Sequence, residues 1–338
     1  MSKMIEIENE KFIVKLLSFG AILHSFYVKE FDTDIVLGLD SKEKYLEKGS
    51  ASMGKSVGRC ANRIGNAEFT LNGVKYKLLA NNGPNCLHNG EVSFGDREWT
   101  IKENSNTKVI FTYESSDMES GFPGNIKVEA SYELNGDELI VTYEGISDKD
   151  TIFNITNHAY FNLNKDKKDI FNLELEIPAT HVNLNDENGM AMEKTVDVKN
   201  TLFDFREFKK IGNVVNENGV ELNQYCKNLY VGDEIKDNKY IDNIDNNYVY
   251  ENNSEKVLCR LKNDKMKLEI ISDLPGVQIY TGKSISIDGK DGYYSRYAGI
   301  AMEPQFCPNA INYSQFIKPI IKAGERVKHI IKYKISAN

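Results

Sequence analysis

Two histidines lie in surroundings that suit proton transfer. His158 lies in residues 155–162, amid hydroxyl, amide and aromatic side chains, and His88 lies in residues 81–90, which are rich in hydrogen-bonding groups. Because imidazole changes its charge near pH 6.5, either side chain could give or take a proton at neutral pH. The remaining histidines lack such neighbours and are expected to be structural: His24, His181 and His329.

One carboxylate also has an unusual position. Glu303 ends a run of small and apolar residues and immediately precedes Pro304. A charged group in such a context is either paired in a buried network or poised in a pocket. Asp245 is a weaker candidate, because its neighbours are polar and an aspartate there is typical of a turn.

Several other chemistries have no signature in this chain. There is no phosphate-binding GxxxxGK[ST] or GxGxxG motif, no HExxH and no GxSxG. No two histidines lie within five residues of each other, so a metal site would need ligands from separate strands. The five cysteines are odd in number and never form CxxC, which favours reduced thiols and a cytoplasmic location.

Composition and charge narrow the choice of partner. The chain has 338 residues, of which 41% are hydrophobic and 27% charged, so it can bury a core. Its net charge of -8 argues against nucleic acid and against an anionic membrane surface. No stretch approaches the roughly 18–20 apolar residues of a membrane span. We therefore expect a small-molecule partner, with neither nucleic acid nor membrane.

The elements that must position these groups are strands. Apolar and polar residues alternate at 126–134 and 139–143 around an Asn-Gly turn, which is the signature of a β-hairpin. Comparable patterns occur at 69–78, 171–177, 257–270 and 327–335. Helical signals are few, and the clearest is a short helix from Asp40 or Ser41 through Leu46. Because strands follow strands without a linker or repeat, the sequence predicts an all-β protein, a large antiparallel β-sandwich formed by a single domain over 1–338.

Six segments then make the sequence recognisable. In chain order they are VGRCANRI (57–64), LHNG (87–90), TNHAYFNL (156–163), IDNNY (244–248), PGVQIYTG (275–282) and MEPQ (302–305). Together they span most of the chain and resemble the aldose 1-epimerase (galactose mutarotase) family. The resemblance implies the galactose mutarotase-like supersandwich fold. It also implies interconversion of the α and β anomers of a free aldohexose such as galactose or glucose, with no cofactor and no metal.

The resemblance also implies roles for residues. His158 matches the general acid of the family and Glu303 its general base. Residues that match sugar-binding positions are Asn62, Arg63, His88, Asp245 and Gln278, and Tyr160 falls within the binding segment.

These residue types suit the reaction. A cyclic hemiacetal opens when the anomeric hydroxyl loses a proton and the ring oxygen gains one, so an acid and a base must face one C1–O5 unit. We expect a nearby carboxylate to raise the pKa of His158 and keep its cation populated. An aromatic ring against the apolar face of the sugar could come from Trp99, Phe161 or Phe306.

Three other functions stay open at this point. A hexose-6-phosphate 1-epimerase of the same fold would need additional basic residues for the phosphate. A non-catalytic sugar-binding protein would not need an acid–base pair. A glycoside hydrolase could use Asp245 and Glu303 as its two carboxylates.

Overall fold

Strands account for nearly all the regular structure of this chain, as the alternating pattern predicts. The computed structural model describes residues 2–90, 93–186, 188–220 and 240–338. Cys226, one of the five cysteines, lies outside these residues. Within them the regular elements are strands and short 3-10 helices.

The described residues of the first half of the chain form fourteen strands: β1 Met4–Glu8, β2 Phe12–Leu17, β3 Ile22–Val28, β4 Thr33–Asp34, β5 Ser56–Val57, β6 Arg63–Ile64, β7 Glu68–Leu71, β8 Val74–Lys77, β9 Cys86–Leu87, β10 Thr100–Asn104, β11 Lys108–Ser115, β12 Ile126–Asn135, β13 Glu138–Ser147 and β14 Thr151–Ile152. The second half contains sixteen in its described residues: β15 Thr156–Asn157, β16 Tyr160–Phe161, β17 Glu174–Glu176, β18 His181–Asn185, β19 Ala191–Asp197, β20 Lys209–Lys210, β21 Val215–Val220, β22 Asp245–Val249, β23 Lys256–Lys262, β24 Met266–Ser272, β25 Gly276–Tyr280, β26 Ile287–Gly289, β27 Gly292–Tyr294, β28 Ile300–Gln305, β29 Ile320–Ile321 and β30 Arg326–Ala337. The 3-10 helices are Lys29–Phe31, Glu43–Leu46, Lys48–Ser50, Gly65–Ala67, Phe94–Asp96, Glu119–Gly121 and Ile211–Asn213.

The largest sheet has nine strands in the order β10-β11-β12-β13-β30-β24-β23-β17-β20, with antiparallel neighbours. It contains the two longest predicted hairpins. Strand β12 pairs with β13 about Asn135–Gly136, and β23 pairs with β24. A second, four-stranded sheet has the order β1-β2-β3-β4. The prediction of an all-β, antiparallel sandwich is confirmed.

A six-stranded sheet of order β16-β28-β25-β22-β18-β19 is the layer that matters for function. Side chains alternate between its two faces, because successive residues of a strand point in opposite directions. Val277 and Ile279 of β25 and Met302 of β28 join the main apolar core, together with residues of the nine-stranded sheet such as Val141 and Ile331. The intervening residues of β25 and β28 therefore lie on the opposite face, away from that core.

Two sequence-based expectations need correction. The alternation at 171–177 yields a strand only at Glu174–Glu176, because residues 170–173 form a turn in which the Leu173 N–H donates to the Ile170 carbonyl. The helix expected through Leu46 is a single 3-10 turn, Glu43–Leu46.

The three histidines that we expected to be structural lie apart from the two candidates for proton transfer. Buried His24 contacts the Tyr45 hydroxyl at 2.7 Å, and the ring of His329 contacts Asp273 at 2.9 Å. His181 is exposed at the start of β18. None of these side chains lines the cleft described below.

One buried cation holds the loop between β5 and β6 in place. Arg59 is fully buried, and its guanidinium donates to the Ser115 hydroxyl and carbonyl, the Ser116 and Pro123 carbonyls and the Thr151 hydroxyl at 2.8–3.3 Å. A buried guanidinium is tolerated only when its donors are satisfied in this way. Arg59 thus ties the segment that leads to β6 to the loop after β11.

We expect Arg59→Lys to lower the free energy of unfolding by about 3 kcal/mol or more, because a lysine cannot reach this planar set of acceptors and leaves several of them buried and unpaired. Urea denaturation measures the effect. The matched control is Arg326→Lys, at an exposed ion pair with Glu144, which should change stability by less than about 1 kcal/mol. Equal effects of the two substitutions would contradict the anchoring role of Arg59.

Candidate active site

A cleft of about 1100 Å³ opens on the face of the six-stranded sheet that points away from the main core. All eight residues that the sequence singles out line it: Asn62, Arg63, His88, His158, Tyr160, Asp245, Gln278 and Glu303. Six segments far apart in the chain therefore converge on one cavity.

Strand register places three of these side chains side by side. Gln278 of β25 is directly opposite Glu303 of β28, and Asp245 of β22 is opposite Tyr280 of β25. All four residues lie on the cleft face, since their neighbours Val277, Ile279 and Met302 belong to the core. The carboxylates are thus held by the sheet backbone and not by a loop.

His158 reaches the cleft from the short connection between β15 and β16. The backbone N–H of His158 donates to the Lys55 carbonyl at 2.8 Å, and the backbone carbonyl of His158 accepts from the Gly54 N–H at 2.9 Å. The adjacent Asn157 side chain donates to the Gly54 carbonyl at 2.9 Å. These contacts fix the backbone on both sides of the imidazole, while the Tyr160 ring lies 5.1 Å from it, centroid to centroid.

His158 and Glu303 face each other at the buried end of the cleft. The His158 Nε2 atom lies 3.6 Å from Glu303 Oε1, and both side chains are almost fully buried. Neither His158 Nδ1 nor Glu303 Oε2 has a hydrogen-bond partner among the described residues. The pair therefore keeps unused hydrogen-bonding capacity next to an open cavity.

Burial sets the protonation of this pair and corrects one expectation. Burial, followed by the positive charge of Lys55, lowers the pKa of His158 to about 4, whereas we expected a neighbouring carboxylate to raise it. Burial, together with the negative charge of Asp245, raises the pKa of Glu303 well above its usual range. Desolvation opposes both charges. In the unliganded cleft the proton that the two groups share therefore favours Glu303, and His158 is a neutral imidazole.

The tautomer of His88 follows from its backbone contact. His88 Nδ1 accepts a hydrogen bond from the Asn62 N–H at 3.2 Å, so the neutral ring carries its proton on Nε2. Burial lowers the pKa of His88 well below 6.5, and the positive charge of Arg63, or of His158 when it is protonated, opposes its protonation further, so His88 stays neutral. Its ring lies 5.3 Å from that of His158, and His88 can offer one N–H donor to a ligand.

A polar network centred on Gln278 and Asp245 lies beside Glu303 on the same face of the sheet. Gln278 Nε2 donates to Asp245 Oδ1 at 2.6 Å, and Arg63 lies 3.7 Å from the other oxygen of Asp245. Arg63 Nε also donates to the Asn82 side chain at 2.9 Å. Asp245 belongs to strand β22, so its reading as a turn residue is wrong, and the arrangement presents both donors and acceptors to a polyhydroxylated ligand.

The aromatic residues of the cleft differ from those expected. Trp99 and Phe161 pack into the main core, and Phe306 contacts His329, so none of them lines the cleft. The cleft is instead lined by tyrosines: Tyr160, Tyr280 and Tyr293. Tyr280 alternates with Gln278 on β25, which is a period-two signal that the sequence already contained. Tyr160 donates its hydroxyl to the Ala51 carbonyl at 3.1 Å, so its ring, not its hydroxyl, faces His158.

The described residues contain neither a metal-binding cluster nor a membrane-spanning helix. No group of three or more histidine, cysteine, aspartate or glutamate side chains among them is placed to hold a metal ion. No helix in the same part of the chain is long and apolar enough to cross a membrane.

The chain is similar to known proteins over nearly its whole length. A family model described as "Aldose 1-epimerase" matches residues 3–334. A "Galactose mutarotase" from Bos taurus is 33% identical and the alignment covers 98% of this chain and 93% of that protein. An "Aldose 1-epimerase" from Escherichia coli (strain K12) is 29% identical, with coverage of 97% and 93%.

Solved structures also resemble this chain over its whole length. The structure of a GalM/aldose epimerase homologue from C. elegans matches with a TM-score of 0.86 and 28% identity, and covers 100% of this chain and 99% of that one. A galactose 1-epimerase from Lactobacillus acidophilus NCFM matches with a TM-score of 0.76 and 24% identity over 100% and 99% of the two chains. The second likeness supports the fold.

The lowered pKa of His158 makes a direct prediction for the unliganded protein. We expect NMR of labelled imidazole rings to show His158 neutral at pH 6, with the cation appearing only as the pH falls towards 4. The His158→Asn variant lacks this resonance and so assigns it. An imidazolium signal for His158 at pH 6 would contradict the dominance of burial over the neighbouring carboxyl.

Proposed function

The chain belongs to the aldose 1-epimerase family and is an enzyme that interconverts the anomers of a sugar, and on this basis we propose that His158 and Glu303 carry its proton transfers. The observation that supports this most strongly is the 3.6 Å approach of His158 Nε2 to Glu303 Oε1 at the buried end of the cleft. We propose a free aldohexose, such as galactose or glucose, as the substrate.

In the proposed mechanism the C1–O5 unit of the pyranose lies against this pair. Glu303, as carboxylate, takes the proton of the anomeric hydroxyl, and His158, as imidazolium, gives a proton to the ring oxygen. The open aldehyde rotates about C1–C2 and closes on its other face. Closure reverses both transfers, so the enzyme returns to its starting protonation state.

The active form carries one proton on the pair. Without ligand this proton favours Glu303, because both charged forms are desolvated. Sugar hydroxyls bring hydrogen bonds to Glu303 Oε2 and to the imidazole, and hydrogen bonding to the charged forms favours the carboxylate–imidazolium state. Binding and activation are thus coupled, and the substrate supplies the polar groups that the site lacks.

Sugar binding is assigned to the surrounding polar side chains. Arg63 and the His88 Nε2–H act as donors, Asp245 accepts from neighbouring hydroxyls, and Gln278 and Asn62 can do both. The Tyr160 ring packs against the His158 imidazole, 5.1 Å away from centroid to centroid. Gln278 Oε1 is buried without a partner among the described residues and is available to a sugar hydroxyl.

The charges of the cleft favour a neutral sugar over a hexose phosphate. Of the three described lysine and arginine side chains that line the cleft, Arg63 faces Asp245 and Lys283 is paired with Asp242, while Arg296 lies over the Tyr297 ring. A phosphate at Arg63 or Lys283 would have to displace a carboxylate, which makes the hexose-6-phosphate alternative less favourable. An acid and a base that face each other also disfavour a purely sugar-binding role. Membership of the aldose 1-epimerase family disfavours glycoside hydrolysis.

We also propose a cytoplasmic location and a reaction without cofactor or metal. The location is supported by the thiols Cys60, Cys86, Cys259 and Cys307, all of which are free and buried. The direct test of a metal-free reaction is that a chelator should leave turnover unchanged.

We expect His158→Asn and Glu303→Gln each to lower kcat about 10²–10⁴-fold, because each removes one positioned proton-transfer group. Polarimetry on freshly dissolved α-galactose and α-glucose, with pentoses and hexose 6-phosphates as a panel, measures the rate and the preference. His181→Asn, at an exposed histidine outside the cleft, is the control and should keep the parent rate. Full activity in either site variant, with circular dichroism unchanged, would remove that residue from the mechanism.

Arg63→Ala and His88→Asn should act mainly on binding. Arg63→Ala removes a donor to the sugar, and His88→Asn draws the donor back from it because the side chain is shorter. We therefore expect KM to rise about tenfold or more with a smaller change in kcat, a loss of about 1.4 kcal/mol per tenfold. Arg326→Ala, at an exposed arginine, is the matched control. If the two site variants lowered only thermal stability and left both kinetic constants intact, these residues would belong to the scaffold.

A further inference from the structure

A second, smaller cavity lies beside the catalytic cleft. It has a volume of about 450 Å³, and amide and hydroxyl side chains dominate its lining. Its polar neutral residues are Asn66, Asn85, Asn188, Asn309, Asn312, Thr70 and Tyr313. Nothing in the proton-transfer mechanism uses this cavity.

The wall between the two cavities is thin, because the same short segments line both. Arg63 lines the cleft, and Gly65 and Asn66, two and three residues later, line the second cavity. In the turn of residues 82–85, Asn82 lines the cleft and Asn85 the second cavity. Asn188 lines both, in the connection between β18 and β19.

The second cavity contains one buried amide nitrogen that has no hydrogen-bond partner among the described residues. Asn85 is 3% exposed, and its Oδ1 accepts a hydrogen bond from the Asn66 N–H at 3.1 Å. Its Nδ2 is buried without a hydrogen-bond partner among the described residues. An unpartnered buried amide is costly, so such a group at the wall of a polar cavity indicates a missing acceptor.

The described residues of the second cavity carry one net negative charge. Glu68 is paired with Lys75 at 2.7 Å, and Asp186 accepts from the backbone N–H groups of Asn188 and Met190 at 2.8 and 3.0 Å. A ligand therefore meets mainly amides and hydroxyls, beside one hydrogen-bonded carboxylate that disfavours an anion. Tyr313 adds an aromatic ring whose hydroxyl is fixed on the Ala191 carbonyl at 2.7 Å. Neutral amides with an aromatic ring are suited to the hydroxyls and apolar face of a sugar.

We propose that this cavity is a second binding site for a neutral glycosyl unit, separate from the catalytic site. The unit could be a second free monosaccharide or the distal residue of a disaccharide whose reducing end occupies the cleft. Both present the same chemistry to the amides, and the experiment separates them. The proposal concerns binding and stands independently of the roles given to His158 and Glu303.

The test follows two sets of backbone amide resonances during a titration. The N–H signals of Asn66 and Asn85 report on the second cavity, and those of Gln278 and Glu303 report on the cleft. With galactose, we expect both sets to shift. With lactose, a single shared binding curve identifies the distal unit of a disaccharide, whereas two separate curves identify an independent sugar.

A blocking variant tests the location. Thr70 is exposed at the rim of the second cavity, so Thr70→Phe should fill the cavity without disturbing the core. We expect it to weaken the response of Asn66 and Asn85 at least tenfold, while the cleft signals and the polarimetric rate on galactose stay unchanged. Thr100→Phe, at an exposed strand position that lines neither cavity, is the matched control.

Two results would overturn the proposal. In the first, Asn66 and Asn85 do not respond to either sugar while the cleft signals do. In the second, their response is the same in Thr70→Phe as in the parent chain. Either result is readable whether or not the enzyme turns over, because the cleft resonances report independently on the catalytic site.

Discussion

The exclusion of water from one acid–base pair is the constraint on which the site depends. Glu303 and His158 sit almost fully buried, and desolvation moves their pKa values in opposite directions, towards the neutral form of each. The same low dielectric strengthens any hydrogen bond that a sugar brings to them. In a pair exposed to solvent, the glutamate would stay ionised and the histidine would titrate near its ordinary pKa of about 6.5, so sugar binding would change the protonation of the pair little.

The six-stranded sheet satisfies this constraint by its pleat. Val277, Ile279 and Met302 face the core, and the residues between them face the cleft, so packing energy on one side fixes chemistry on the other. Among the sugar-binding residues, Asp245 and Gln278 belong to this sheet, whereas Asn62 and Arg63 follow the segment that the buried Arg59 anchors. The sugar-binding residues therefore rest on two supports, one of which they share with Glu303.

The period-two alternation of apolar residues and the order of the motifs predicted much of the fold and of the candidate site. The hairpins of β12–β13 and β23–β24 followed from alternation and turn residues, and all eight candidate residues line one cleft. The direction of the pKa of His158 could not be predicted, because it depends on burial by segments far apart in sequence. The aromatic residues of the cleft could not be predicted either, because alternation separates the two faces of a strand but does not show which face borders the cleft. The single-domain organisation stays a prediction.

The register of β25 against β28 has an evolutionary consequence. Gln278 stands opposite Glu303 and both face the cleft. Inserting or deleting one residue in β28 would turn Glu303 towards the core, and the same change in β25 would turn Gln278 inward and bring a valine or isoleucine into the cleft. Substitutions can accumulate there one at a time, but changes of length cannot. Descendants of this gene should therefore vary in size at the turns, such as the one joining β26 to β27, and keep these two strands at constant length.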